Sequence, residues 1–251
     1  MKIRQLLLAI YAVLMLPNCK PNGGKGTTPP TPENSPPDIA CTLPSDPYEP
    51  VDLLRLKPLI LSIEPHDTDE AITSGDLHRY VPALGSRQRD LLFVWLPGTG
   101  AETQEFQNIL GVAAYAGYRS ISLAYKNNVT VNRECGCTES ECESSCKPDY
   151  PDCELEVRRE IVYGANAQLS SLGFDSPCVD VSRADSIENR LLRLLQKLNE
   201  DEPSLGLEGF YDGESVRWDK IVIAGWSQGG GHAGIIAKDY EVARAIYVSK
   251  G

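Results

Sequence analysis

Lys220-Ile-Val-Ile-Ala-Gly-Trp-Ser-Gln-Gly-Gly-Gly-His232 is the stretch that decides how this chain folds. Lys220 to Ala224 carries a short apolar, β-branched run that reads as a strand, and Gln228 to Lys238 is a Gly- and Ala-rich helix. The run Gly225-Trp226-Ser227-Gln228-Gly229 joins the two, so the strand must turn into the helix within a few residues. A turn this sharp brings neighbouring backbone close together and leaves no space for side chains at Gly225 and Gly229. It presents the Ser227 hydroxyl at the edge of the sheet, near the positive end of the following helix.

A second turn of similar composition lies upstream. Leu91 to Leu96 (LLFVWL) is a continuous apolar run of the kind buried on both faces, and it ends in Pro97-Gly98-Thr99-Gly100. From Glu102 to Gly117 the apolar residues Phe106, Ile109, Leu110, Ala113 and Ala114 fall at helical spacing, and Ser120 to Tyr125 reads as the next strand. Leu59 to Ile63 and Arg79 to Ala83 are earlier strands, the second suited to an edge by Pro82. Ser186 to Asn199 is an amphipathic helix with Asp185 or Ser186 as N-cap, and Ala243 to Ser249 is a last strand. This alternation predicts an α/β fold, a mainly parallel sheet with helices on both faces.

The 251 residues carry 24 Lys and Arg against 35 Asp and Glu, a net charge of −11 with no long basic run, which argues against nucleic acid as a partner. Residues 1–18 have a short basic start followed by about a dozen apolar residues, too few to span a membrane and right for an export signal. Cys19 follows directly. Leu16-Pro17-Asn18-Cys19 resembles the lipobox of bacterial lipoproteins, with Asn18 where that pattern has a small residue; the resemblance implies that Cys19 is the lipid anchor. Residues 19–38, with six Pro and three Gly among 20–38, form a tether, and the folded domain runs from 39 to 251. The expected location is extracytoplasmic, anchored at a bacterial membrane.

Five of the eight cysteines, Cys135, Cys137, Cys142, Cys146 and Cys153, fall in an acidic insert spanning 126–178, with Cys178 at its end and Cys41 elsewhere. In an exported chain this usage favours disulfides over zinc. The insert shows no apolar period, so cross-links are expected to order it, with at least two linkages involving residues 135–178. Glu134, Glu139, Glu141, Glu143, Asp149 and Asp152 lack the spacing of a calcium loop and read as a solvated acidic face. No metal or cofactor is called for.

Together the Ser-Gln-Gly-Gly-Gly-His run and the Leu-Pro-Gly-Thr-Gly loop make residues 90–251 resemble the α/β-hydrolase fold, and within it a group of exported bacterial hydrolase-like proteins. The resemblance implies Ser227 as catalytic nucleophile and an oxyanion hole made by the backbone N–H groups of Gln228 and Thr99, the latter preferred to Gly100. It also implies an acid and a histidine after the nucleophile, and only 24 residues follow Ser227. The chain therefore reads as C-terminally incomplete, with Ser227 poorly activated. His232 lies more than one helical turn past Ser227 and is expected to face the helix's packing surface. His66 and His78, like Asp175, Asp180 and Asp185, precede the nucleophile and read first as loop, strand and cap residues. The function expected is serine hydrolysis of a small ester or related acyl substrate. The alternative is a non-catalytic surface lipoprotein that binds a partner through its Cys-rich acidic loop.

Overall fold

The structure is a computed structural model, describing residues 59–84, 88–136, 152–165, 176 and 178–248. The export signal, Cys19, the tether, Cys41, Cys137, Cys142, Cys146 and Asp175 lie outside the described residues.

Six strands form one sheet: β1 (Leu61–Ile63), β2 (His78–Val81), β3 (Leu92–Leu96), β4 (Arg119–Ser122), β7 (Ile221–Trp226) and β8 (Arg244–Val248). Their spatial order is β1-β2-β4-β3-β7-β8. β3 pairs in parallel with both β4 and β7, and β7 with β8, whereas β2 runs antiparallel to β1 and β4. The sheet is thus mixed and mostly parallel, with β1 and β8 at its edges among the described residues. β5 (Tyr211–Asp212) and β6 (Ser215–Val216) make a separate small hairpin.

Every residue of β3 is buried, because both faces of the central strand are covered. Leu92, Val94 and Leu96 join an apolar cluster with Val157, Leu191, Leu195 and Ile236. The alternate residues point to the opposite face, as the two-residue period of a strand requires. There Trp95 meets the ring of Phe106 at 5.3 Å, and the Ser120 hydroxyl donates to the Leu110 carbonyl at 3.0 Å. Leu110 belongs to α1 (Gln107–Tyr115), which follows a 3-10 turn over Thr103–Phe106. α4 (Ile187–Asp201) and α5 (Gln228–Asp239) contribute to the first face. Ser186 is the N-cap of α4, its hydroxyl accepting from Asn189 N–H at 3.2 Å.

The insert departs from expectation. Among the described residues it holds two helices, α2 (Val131–Gly136) and α3 (Cys153–Tyr163), and the second packs onto the core through buried Val157, Ile161, Val162 and Tyr163. An apolar period is therefore present in the 11 residues of α3, which are crowded with Glu154, Glu156, Arg158, Arg159 and Glu160. Glu160 is itself fully buried, its carboxylate accepting from Ser176 N–H at 2.5 Å and Val181 N–H at 2.8 Å. A disulfide joins Cys135 of α2 to Cys153 of α3, and Cys178 is likewise disulfide-bonded. Among the described residues no helix is long and apolar enough to cross a membrane.

Candidate functional site

β7 ends at Trp226 and α5 starts at Gln228, so Ser227 alone makes the turn. It does so at φ 53° and ψ −118°, a left-handed conformation that disfavours a side chain. Among the described residues, Asp152 is the only other non-glycine residue with positive φ. Hydrogen bonds hold the turn in place: Ser227 N–H donates to the Val248 carbonyl at 2.8 Å, and Gly231 N–H donates to the Ser227 carbonyl at 3.2 Å. The side chain is exposed.

The flanking glycines are required by close backbone approach. A methyl group at Gly225 would overlap the Gly229 carbonyl and lie 2.6 Å from Gly230 N; one at Gly229 would overlap the Leu96 carbonyl and lie 2.5 Å from that of Pro97. The elbow is therefore packed directly on the turn after β3. Gly98 completes the fit, since a methyl group there would come within 2.9 Å of the Trp226 ring.

Three loops meet at this point. The Gln228 side-chain oxygen accepts from Thr99 Oγ1 at 3.0 Å and from Val131 N–H at 3.2 Å, which links the elbow to the β3 turn and to α2. Asn127, after β4, accepts from Gly100 N–H at 3.0 Å, and its amide donates to the carbonyls of Gly98 and Ala101 at 2.9 and 2.8 Å. Tyr125 donates to the Pro97 carbonyl at 2.6 Å, and burial pushes its phenol well above the usual range. Thr99, Ser227 and Gln228 are thus brought together. The backbone N–H groups of Thr99 and Gln228 have no acceptor among the described residues.

No histidine joins them. His232 is fully buried edge-on to Tyr125, with neither ring nitrogen partnered among the described residues; burial, with Arg158 nearby, lowers its pKa to about 3. His78 is fully buried too, its Nδ1 accepting from Ala124 N–H at 3.1 Å, and burial, reinforced by Arg190, also lowers it to about 3. His66 is exposed and its Nδ1 lies 3.1 Å from the Ile72 carbonyl. Among the described residues, no imidazole or carboxylate hydrogen-bonds the Ser227 hydroxyl.

Asp185 has a structural role. It accepts from Thr73 N–H and Oγ1 at 2.9 and 2.8 Å and from Arg190 at 2.7 Å. Burial would raise its carboxyl, but these hydrogen bonds and the guanidinium overcome that and hold it below the ordinary value. Among the described residues, Asp180 offers only its main-chain carbonyl, to Lys126. No group of three or more His, Cys, Asp or Glu among the described residues is placed to hold a metal ion.

Asn127, Tyr125 and Arg158 were not singled out from sequence. Arg158 reaches the elbow across 70 positions, its Nη1 3.5 Å from the Gln228 carbonyl. The one local signal is the third glycine of Gly229-Gly230-Gly231, since a glycine inside a helix marks a close approach.

No protein-family model, curated protein or solved structure matches the chain.

Proposed function

We propose that this protein is a serine acyl hydrolase of the α/β-hydrolase type, acting on a small carboxylic ester or related acyl compound. The observation that carries the proposal is Ser227 itself: an exposed residue of strained backbone, at the head of α5, in a turn that admits no side chain at Gly225 or Gly229. Strain of this kind costs roughly 1–3 kcal/mol and clusters at functional sites. Its position supports the same reading. From β3 the chain passes to β4 on one side, while β7 and β8 lie on the other, and crevices at the C-terminal ends of strands where the order diverges are where α/β sheets bind ligands.

In the proposed reaction, Ser227 Oγ attacks the substrate carbonyl and the Gln228 and Thr99 N–H groups hold the oxygen as it becomes negative. Collapse of the intermediate expels the alkoxide, which takes up a proton to leave as the alcohol, and gives an acyl-serine; water then attacks the acyl carbon, the bond to Oγ breaks, the carboxylic acid departs and Oγ takes up a proton to restore the hydroxyl. With no partnered base among the described residues, the Ser227 proton passes to solvent. Serine enzymes lacking a triad member keep a rate on the order of 10³ to 10⁴ over water from the oxyanion hole and binding, so turnover by the chain is expected to be slow. Hydrolysis of a short-chain aryl ester by the wild type and by Ser227→Ala tests this. Slow turnover lost in the variant is the expected result, and equal rates would refute the role of Ser227.

The proposal extends to location: Cys19, at the end of the apolar leader, carries the lipid that holds the domain at an extracytoplasmic membrane surface.

A further inference from the structure

Arg158 lies against the first turn of α5, and its seat is made for it. A methyl group at Gly231 would overlap Nη1 and lie 2.7 Å from Cζ, so only glycine admits the guanidinium there. Gly231 N–H bonds to the Ser227 carbonyl, which puts the cation about one helical turn, roughly 5 Å, from the elbow. Because side chains on a helix lean towards its N-terminus, the guanidinium, which occupies the place of a Gly231 side chain, lies over the turn that leads back to Ser227.

The cation is poorly paired for its burial. The Arg158 side chain is 16% exposed, yet among the described residues its nearest carboxylate, Glu154, stands 3.8 Å away on a side chain that is 59% exposed. Its other polar contact among the described residues is the Gln228 carbonyl at 3.5 Å, beyond the usual 2.7–3.2 Å of a good hydrogen bond. Burial draws the pKa of the guanidinium below its ordinary value, against the opposing pull of Glu154 and Tyr125. Desolvated charges are ordinarily matched by a close counter-ion, because leaving one unmatched is strongly unfavourable. A guanidinium fork of five N–H donors whose two contacts are long can grip a planar anion through two nitrogens.

We infer that Arg158 anchors a carboxylate subsite beside Ser227, and that the substrates are half-esters of short dicarboxylic acids whose free carboxylate lies about two methylene groups from the reacting carbonyl. The substrate class rests on the proposed role of Ser227, whereas the carboxylate subsite rests on Arg158 alone. Glu154 is the resident competitor that a ligand carboxylate displaces.

Calorimetric titration of the full chain with monomethyl succinate at low ionic strength tests the subsite without any turnover. Arg158→Met should weaken binding by about tenfold or more, the loss of a charge-assisted hydrogen-bonded contact. Gly231→Ala should weaken it comparably. That variant keeps the arginine and displaces only the far end of a flexible side chain, while alanine favours the helix, so its thermal transition should not fall. Glu154→Gln, at an exposed position, should tighten binding several-fold. No binding by the wild type, or equal affinity in all four proteins, would overturn the subsite. A parallel comparison of aryl hemisuccinate with aryl butyrate should show a preference for the charged ester in the wild type that Gly231→Ala diminishes; parity in the wild type would overturn the half-ester assignment. If Ser227 fails to react with a neutral fluorophosphonate while Arg158-dependent succinate binding persists, the hydrolase proposal falls and the subsite stands.

Discussion

Ser227 holds a backbone conformation that glycine adopts freely and serine does not, at φ 53° and ψ −118°. The fold retains a residue that weakens it, and Ser227→Gly should therefore raise stability by about 1 kcal/mol while removing the hydroxyl. Urea unfolding measures the first effect and ester hydrolysis the second; a glycine variant less stable than the wild type would mean that the turn is unstrained. The two buried histidines act through titration. Their folded-state pKa values of about 3 lie below the ordinary 6.5, so the unfolded chain binds protons that the folded one refuses. The stability each contributes is complete above about pH 6.5 and drains away as the pH falls towards 3, by up to about 1.4 kcal/mol per pH unit for each imidazole. His232→Phe keeps an aromatic ring against Tyr125 and should remove one imidazole's share of that slope. Urea midpoints measured between pH 7 and pH 4 will show it, and an unaltered slope would place the His232 pKa elsewhere.

Among the elements, those whose apolar residues are continuous or evenly spaced were legible from sequence. Leu91 to Leu96, Lys220 to Ala224 and Ser186 to Asn199 lie within a residue or two of the observed β3, β7 and α4. α3 escaped notice because its core contact is made by few residues, and because Glu160, a charge, is buried among them and satisfied by backbone N–H groups that the sequence does not reveal. The β5–β6 hairpin carried an unread signal, Asp212-Gly213, with Gly213 at φ 57°. α2 and α3 owe their mutual position partly to the Cys135–Cys153 bond, which closes a loop of 18 residues. Replacing both cysteines by serine should cost about 3 kcal/mol, since a loop of this size contributes that much by restricting the unfolded chain. Amide hydrogen exchange should then quicken first in α2 and α3 and leave β3 and β7 protected. Uniform quickening across the sheet would show that the insert and the core unfold as one unit.

On the scale of the whole molecule, the mixed sheet brings the loops after β3, β4 and β7 to one end, where Gln228, Thr99, Asn127 and Val131 tie them together. Half of this site could be read in advance. Glycines at 98, 225 and 229 announce close backbone contact, and an exposed serine between two of them announces a use for that contact. Arg158 could not be read, because its proximity to the elbow arises from packing α3 on α5 across 70 positions and leaves only Gly231 as a local trace. The account rests on Ser227 being a nucleophile, and covalent labelling reports this most directly because it needs no substrate and no completed turnover. The full chain, treated with a fluorophosphonate and digested for mass spectrometry, should carry one adduct, on Ser227, and Ser227→Ala should carry none. A folded wild-type chain that remains unmodified at Ser227, or that is modified equally at other serines, would contradict the account.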